Sequence, residues 1–230
     1  ATPEGERLLV YARRILALQE EAREVLLDVK SEGVLRLGVP EDFAAERLMP
    51  ILSRFGREHP GVRLEVTSGL GPELMRLYRQ GEFDLLLVKQ MGQDADCLAS
   101  WPERMCWVDS RSTPALARDP LPLVVFPVGG LYRNEMLHHL EMGGWRWRIN
   151  YSSASLASVC AAVAAGLGIS LLPERVIRAD HQVLEASCGL PDIQGVFLAL
   201  YGLNGLSHAG NLLKHQLIDL CQALAQPQSA

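Results

Sequence analysis

Gly33-Val34-Leu35-Arg36-Leu37-Gly38-Val39-Pro40 reads as the first strand of an α/β domain, and the patterns on either side of it set the fold. Ahead of it, Leu8, Ile15, Ala22 and Val29 recur every seven residues, with Tyr11, Leu18 and Val25 at the complementary spacing. Such an a/d stripe belongs to a helix that packs lengthwise against another helix. Behind it, strands are expected at 35–39, 62–67 and 83–88 and helices at 44–58 and 72–80. The first of these helices stops at His59-Pro60-Gly61 and the second at Gly81. Proline cannot continue a helix, and glycine tolerates the left-handed cap. Alternating units of this length imply a parallel sheet with right-handed crossovers.

The polar, turn-rich stretch 91–99 suits a hinge. A second α/β set follows, with strands expected at 105–109, 123–126, 147–151, 169–172 and 196–201 and helices at 132–142 and 155–165. The last helix, over 206–225, carries Leu212, Leu213, Leu217, Leu220 and Leu224. The expected organisation is a dimerisation helix (1–32), one lobe made of 33–98 and 203–226, and a second lobe over 99–202.

Composition narrows the function classes. At 230 residues, 48% hydrophobic and 21% charged, the chain can bury one large core or two small ones. No apolar run approaches the roughly 18 to 20 residues of a membrane span, and no charged-then-apolar leader pattern opens the sequence. A net charge of −5 gives no electrostatic case for binding nucleic acid. The five cysteines are scattered and none forms a CxxC pair, so a reduced, cytoplasmic compartment is expected.

Several short motifs occur in a fixed order: Thr2-Pro3-Glu4-Gly5 with Tyr11-Ala12-Arg13-Arg14-Ile15-Leu16, Leu35-Arg36-Leu37-Gly38, Leu48-Met49-Pro50-Ile51-Leu52, and Phe55 with His59-Pro60-Gly61-Val62. Gly81-Glu82-Phe83-Asp84-Leu85 and Val163-Ala164-Ala165-Gly166-Leu167-Gly168-Ile169 with Leu172-Pro173 complete the set. On these residues the chain resembles the LysR-type transcriptional regulators without their N-terminal winged helix-turn-helix. The resemblance implies a two-lobed, periplasmic-binding-protein-like α/β fold preceded by a long dimerising linker helix. It implies a small-molecule effector in the cleft between the lobes and assembly as a homodimer or homotetramer. It also implies DNA binding only through the missing N-terminal domain, no cofactor, no enzymatic activity and no membrane partner.

In open parallel sheets, ligands sit at the carboxyl ends of strands, where loops enter helix N-termini. Five such loops are available: Pro40-Glu41-Asp42-Phe43, Ser68-Gly69-Leu70-Gly71, Lys89-Gln90, Pro127-Val128-Gly129-Gly130 and Ser152-Ser153-Ala154-Ser155. The family's pocket falls at these loops, which assigns the effector to Asp42, Phe43, Ser68, Gly69, Lys89, Pro127, Gly129, Ser152 and Ser153. Each has a plainer reading beside it. The serines at 68, 153 and 155 are natural helix caps, and a lysine near a hinge is often solvated. Glu41 and Asp42 place negative charge where an anionic effector would sit, so the effector's charge stays open.

Other chemistry is weaker. Glu135, His138, His139 and Glu141 share one helix at metal-binding spacing but have no second matching pair, so a solvated face is the default. The Gly166-Leu167-Gly168 run lies between a helix and a strand, the wrong way round for a phosphate loop. Cys160 and Cys221 sit in apolar helical patterns and read as core. Trp145 and Trp147 alternate with Arg146 and Arg148 as ordinary strand patterning, with the tryptophans inward. The alternative to a regulator is a free-standing solute-binding protein of a transport system. An enzyme on the same scaffold would have only Glu41, Asp42 and Lys89 to work with.

Overall fold

The computed structural model describes residues 2, 5, 8, 11, 12, 14–16, 18, 19, 33–43 and 48–225. The chain divides into two compact units. Unit 1 is Ala1–Val88, Gln93–Trp101 and Leu198–Ala230; unit 2 is Lys89–Gly92 and Pro102–Phe197. The compact units divide at 88/89, 92/93, 101/102 and 197/198, and the exchanges expected from the sequence are at 98/99 and 202/203.

Unit 1 is organised on a sheet of order β2-β1-β3-β10-β4. Its strands are β1 (Gly33–Pro40), β2 (Val62–Gly69), β3 (Leu85–Met91), β4 (Ala99–Pro102) and β10 (Val196–Gly202), of which β3, β4 and β10 each have residues in unit 2. As expected of βαβ units, β1 pairs in parallel with both β2 and β3. Side chains of a strand alternate between faces, and that period-two pattern gives the sheet two cores. Leu35, Leu37 and Val39 of β1 with Leu85 and Leu87 of β3 pack under helix α1 (Met49–Glu58) and helix α5 (His208–Ala225), where Leu52, Phe55, Leu213 and Leu217 are buried. On the other face Leu86, Val88, Ala199 and Tyr201 meet Phe83 and Leu74 of helix α2 (Gly71–Arg79).

The punctuation works as read. His59 N–H donates to the Phe55 carbonyl at 2.8 Å and closes α1. Gly81, at φ +76°, ends α2 as Glu82 N–H reaches back to the Leu77 carbonyl at 3.1 Å. The motifs at 35–38 and 81–85 are explained by each other. A Cβ at Gly38 would lie 2.7 Å from ring carbons of Phe83, so only glycine lets that ring cover the strand. Asp84 accepts from Arg36 N–H at 2.7 Å, and burial raises its carboxyl above the ordinary carboxylate range despite that bond and the Arg36 charge.

Unit 2 mixes antiparallel and parallel pairing. Strand β5 (Met105–Ser110) runs antiparallel to both β8 (Ser170–Pro173) and β9 (His181–Val183), giving the order β8-β5-β9. Strands β6 (Leu121–Val125) and β7 (Trp147–Ser152) form a separate parallel pair, joined to Ile169 by a bridge from Leu123. The short strands β4 and β9 have no counterpart in the sequence reading. Helices α3 (Leu131–Met142) and α4 (Leu156–Ala164) bury Met136, Leu140, Val159 and Val163 against Trp107, Val108, Leu123 and Leu171. His181 is fully buried here: Arg178 N–H donates to its Nδ1 at 3.3 Å, so its Nε2–H donates to the Cys160 carbonyl at 2.9 Å.

Of the N-terminal helix, residues 5, 8, 11, 12, 14–16, 18 and 19 are described, and all are helical. The stripe residues among them are open to solvent in the single chain: Leu8 68%, Tyr11 62%, Ile15 64% and Leu18 52% exposed. Ala22, Val25 and Val29 lie outside the described residues. Among the described residues no helix is long and apolar enough to cross a membrane.

Candidate functional site

In unit 1 the candidate residues follow two neighbouring parallel strands. The pairing of Val39 with Ser68 and of Pro40 with Gly69 puts both loops at the same end of the sheet. Phe43 N–H donates to the Pro40 carbonyl at 3.0 Å, a tight turn that draws Asp42 and Phe43 back over the strand end. Phe43 is then buried in the core beside Leu48 and Phe55, so its role in the fold is packing. Asp42 is buried too, whereas Ser68 is exposed. Ser68 does not cap the following helix; Leu70 holds that position, without a side-chain hydrogen bond. A Cβ at Gly69 would make only ordinary contact with Leu74, so packing does not demand glycine there.

Unit 2 assembles its candidates the same way. Val125 pairs with Ser152 in the parallel β6–β7 ladder, and Ser153 N–H donates to the Val125 carbonyl at 3.1 Å. The loops 126–130 and 152–155 are therefore neighbours. Pro127 and Gly129 are half-buried, and Gly129 adopts φ +89° with nothing close to where a Cβ would stand. Helix α3 begins at Gly130 without a side-chain cap or an acidic residue in its first turn. Its open N–H groups and macrodipole favour acceptors. By contrast α4 is capped: Ser155 Oγ accepts from Ser158 N–H at 3.4 Å, while Ser153 Oγ accepts from Ser155 N–H at 3.2 Å. The plain reading as a helix cap is met by Ser155 and not by Ser153, which accepts in the turn before the helix; Ser152, at the strand end, is exposed.

Lys89 is neither solvated nor open at a hinge. Its side chain is 5% exposed and forms an ion pair with Glu103, itself 9% exposed. The ammonium also donates to the Tyr132 hydroxyl in the first turn of α3 and lies 4.9 Å from the centre of that ring. The other Glu103 oxygen is 2.6 Å from Arg175 Nε. A buried ammonium keeps its charge only when such partners replace water. Tyr132, Glu103 and Arg175 were absent from the sequence reading, since nothing in their local patterns marks them as partners of Lys89.

The remaining candidates are placed plainly. His139 lies 3.8 Å from Glu135 on a partly exposed face of α3, and among the described residues no group of three His, Cys, Asp or Glu could hold a metal. Cys160 and Cys221 are core, and burial raises the Cys106 thiol, which leaves little reactive thiolate. Trp145 and Trp147 pack against the unit 2 core while Arg146 and Arg148 are exposed.

The sequence matches the LysR substrate binding domain over residues 30–202. Among curated relatives, the HTH-type transcriptional regulator DgdR of Burkholderia cepacia is 29% identical over 86% of this chain and 68% of its own length. The HTH-type transcriptional regulator PecT of Dickeya dadantii is 29% identical over 84% of this chain and 61% of its own length. The chain thus spans about two thirds of these relatives. Among solved structures, the effector binding domain of QuiR in complex with shikimate superposes with a TM-score of 0.59 at 15% identity, covering 84% of this chain and 97% of that one. So remote a likeness speaks to the fold alone, and the mixed α/β fold is of the periplasmic-binding-protein-like class of LysR regulatory domains.

Proposed function

Because this chain belongs to the LysR substrate binding domain family, we propose that it is the effector-sensing and oligomerisation portion of a LysR-type transcriptional regulator. A small molecule is bound by the strand-end loops, and DNA is bound by another part of the same protein. The observation that carries this is the gathering of the assigned loops. In each unit, two loops that follow adjacent parallel strands lie side by side. The names of DgdR and PecT as transcriptional regulators and the shikimate complex of QuiR support the same reading. The residues assigned to the effector are Asp42, Ser68, Gly69, Pro127, Gly129, Ser152 and Ser153, with Lys89, held by Glu103 and Tyr132, buried behind them. Phe43 holds the first loop in place from the core.

The effector acts only through unequal affinity for two arrangements of the protein; equal affinity shifts nothing. In the whole gene product, Ser153→Trp fills the space at the ends of β6 and β7 and abolishes the effector response of transcription while DNA affinity is retained. A fall in DNA affinity with the effector response intact would show that the loop serves something else.

Oligomerisation is assigned to the N-terminal stripe of Leu8, Tyr11, Ile15, Leu18, Ala22, Val25 and Val29, paired with the same helix of a second copy. The exposure of its described members supports this, since a contiguous apolar stripe in water favours association. Ile15→Asp places a charge in that seam and is expected to weaken self-association at least tenfold, about 1.4 kcal/mol. Sedimentation equilibrium reads the change. An unaltered association constant would remove the helix from the interface.

A further inference from the structure

The chain passes between the two units at four places: Val88–Lys89 within β3, Gly92–Gln93 just after it, Trp101–Pro102 at the end of β4, and Phe197–Leu198 within β10. Three segments of unit 2 therefore meet the boundary: Lys89–Gly92, the chain that starts at Pro102 and the chain that ends at Phe197. On the unit 2 side these three segments are fastened to one another within a few residues of the boundary. Gly92 N–H donates to the Gly195 carbonyl at 2.8 Å, joining the exit of β3 to the approach of β10. Glu103 N–H donates to the Val196 carbonyl at 2.9 Å, joining the exit of β4 to the same strand. The Glu103 side chain adds two more ties. One carboxylate oxygen pairs with Lys89 of β3, and the other lies 2.6 Å from Arg175 in the turn after β8. Lys89 in turn donates to Tyr132, the residue that follows Leu131 at the start of α3.

We propose that Glu103 is the node of a clasp that holds the three crossing segments together as one block on unit 2 and, through Lys89 and Tyr132, ties that block to the loop 127–131. The chemistry requires a carboxylate at this position. Two cationic groups approach two oxygens of one group, and both side-chain partners are largely buried, at 5% and 13% exposed. A carboxylate accepts on both oxygens, whereas an amide of the same shape presents an N–H₂ to one of the two cations. Removing one member of a buried ionic group leaves the others uncompensated, so the loss falls on the segments that Glu103 joins. Flexing of the chain is thereby confined to the boundaries at 88–89, 92–93, 101–102 and 197–198 and to the unit 1 side of them. In the proposed regulator, a ligand touching the loop 127–131 reaches the crossing strands through Tyr132 and Lys89; that last step rests on the effector reading, and the clasp itself does not.

Hydrogen exchange on the chain tests the clasp without any ligand. In Glu103→Gln the amides of Gly92 and of position 103 are expected to exchange at least tenfold faster, while those of Leu123 and Val124 in β6 and of Leu37 in β1 keep their rates. Unchanged rates, acceleration confined to 174–177, or equal acceleration in β6 would each overturn it. Should Glu103→Gln fail to fold, Arg175→Gln removes one arm and must show the same pattern, and a change confined to its own turn overturns the proposal. Tyr132→Phe keeps the ring and removes the hydroxyl. It should accelerate the amides of Gly130 and Asn134, which close the first turn of α3, and unchanged rates there would cut the loop from the clasp. Since no arm uses an effector, failure of the effector reading leaves these results standing, and the reverse holds as well.

Discussion

Asp109→Ala should cost this protein about 3 kcal/mol of stability, with unit 2 unfolding at a lower urea concentration than unit 1. Asp109 is buried at the end of β5, where its carboxylate accepts from backbone N–H groups. Ala115 N–H donates to both oxygens at 2.9 and 2.8 Å, Leu116 N–H to one at 2.9 Å, and Ser110 N–H to the other at 2.7 Å. One side chain thus folds the loop 110–116 back on its own strand. Hydrogen bonds to a charged acceptor contribute about 1.5 to 3 kcal/mol each, and orphaned buried donors cost more than a bond is worth. Part of the loop is exposed and can rehydrate, which holds the expected loss below the simple sum. Asp109→Asn keeps one acceptor oxygen and turns an N–H₂ toward other donors, so it should recover only part. Tryptophan fluorescence follows the transition well, because Trp107, Trp145 and Trp147 all lie in unit 2. A variant within 1 kcal/mol of the parent, by the usual mutational scale, would show that the loop does not need its anchor.

The second large effect concerns the turn against which that loop rests. A Cβ at Gly168 would stand 2.5 Å from the Pro122 carbonyl oxygen and 3.0 Å from Leu123 N. Both are backbone atoms of β6, and no side-chain rotation relieves the contact. Gly168→Ala therefore forces the start of β8 away from β6, where Ile169 N–H donates to Pro122 and Val124 N–H to Ile169. The expected cost is about 3 kcal/mol, at the upper end of overpacking effects, seen as a lower urea midpoint with an unchanged slope. Gly166 is constrained in a different way, with φ +75° and a would-be Cβ 2.6 Å from the Thr113 carbonyl oxygen. Arg118 donates to the Gly166 carbonyl at 2.9 Å and Ser110 Oγ to the Ala164 carbonyl at 2.7 Å. The glycine-rich turn, the strand it feeds and the Asp109 loop are one packed assembly. If Gly168→Ala retained the parent stability, the backbone spacing between β6 and β8 would have to be adjustable.

These cases mark what the sequence could and could not disclose. Alternation and stop signals carry local information, so the three parallel strands of unit 1 and the helices with their stop signals are legible within a residue or two at most ends. The glycines at 38, 166 and 168 were legible as motifs, but the reason for each is an atom far along the chain: Phe83, Thr113 or Pro122. Strand direction in unit 2 was not legible. Every residue of β5 is buried, and a strand covered on both faces shows no alternation from which to infer its neighbours. The strands β4 and β9, four and three residues long, are too short for any periodicity. Lys89 illustrates the same limit at the candidate site: as a residue at a strand end it suited either a ligand or solvent. Its partners Glu103 and Arg175 come from other elements, and only the fold brings the three charges together. Ser155 and Ser153 took the cap and turn roles that serine commonly has at helix starts.

Binding of a small molecule by the strand-end loops is read by ligand-induced thermal stabilisation. The chain and its Ser153→Trp variant are melted side by side against a panel of small polar metabolites, including carboxylates, amines and polyols. A compound present at a hundred times its Kd adds about 2.7 kcal/mol to the folded state, which moves the melting temperature by several degrees. At least one compound is expected to stabilise the parent chain in this way and to leave the melting temperature of Ser153→Trp unmoved. A compound that stabilises both proteins equally would place the binding site elsewhere and contradict the assignment.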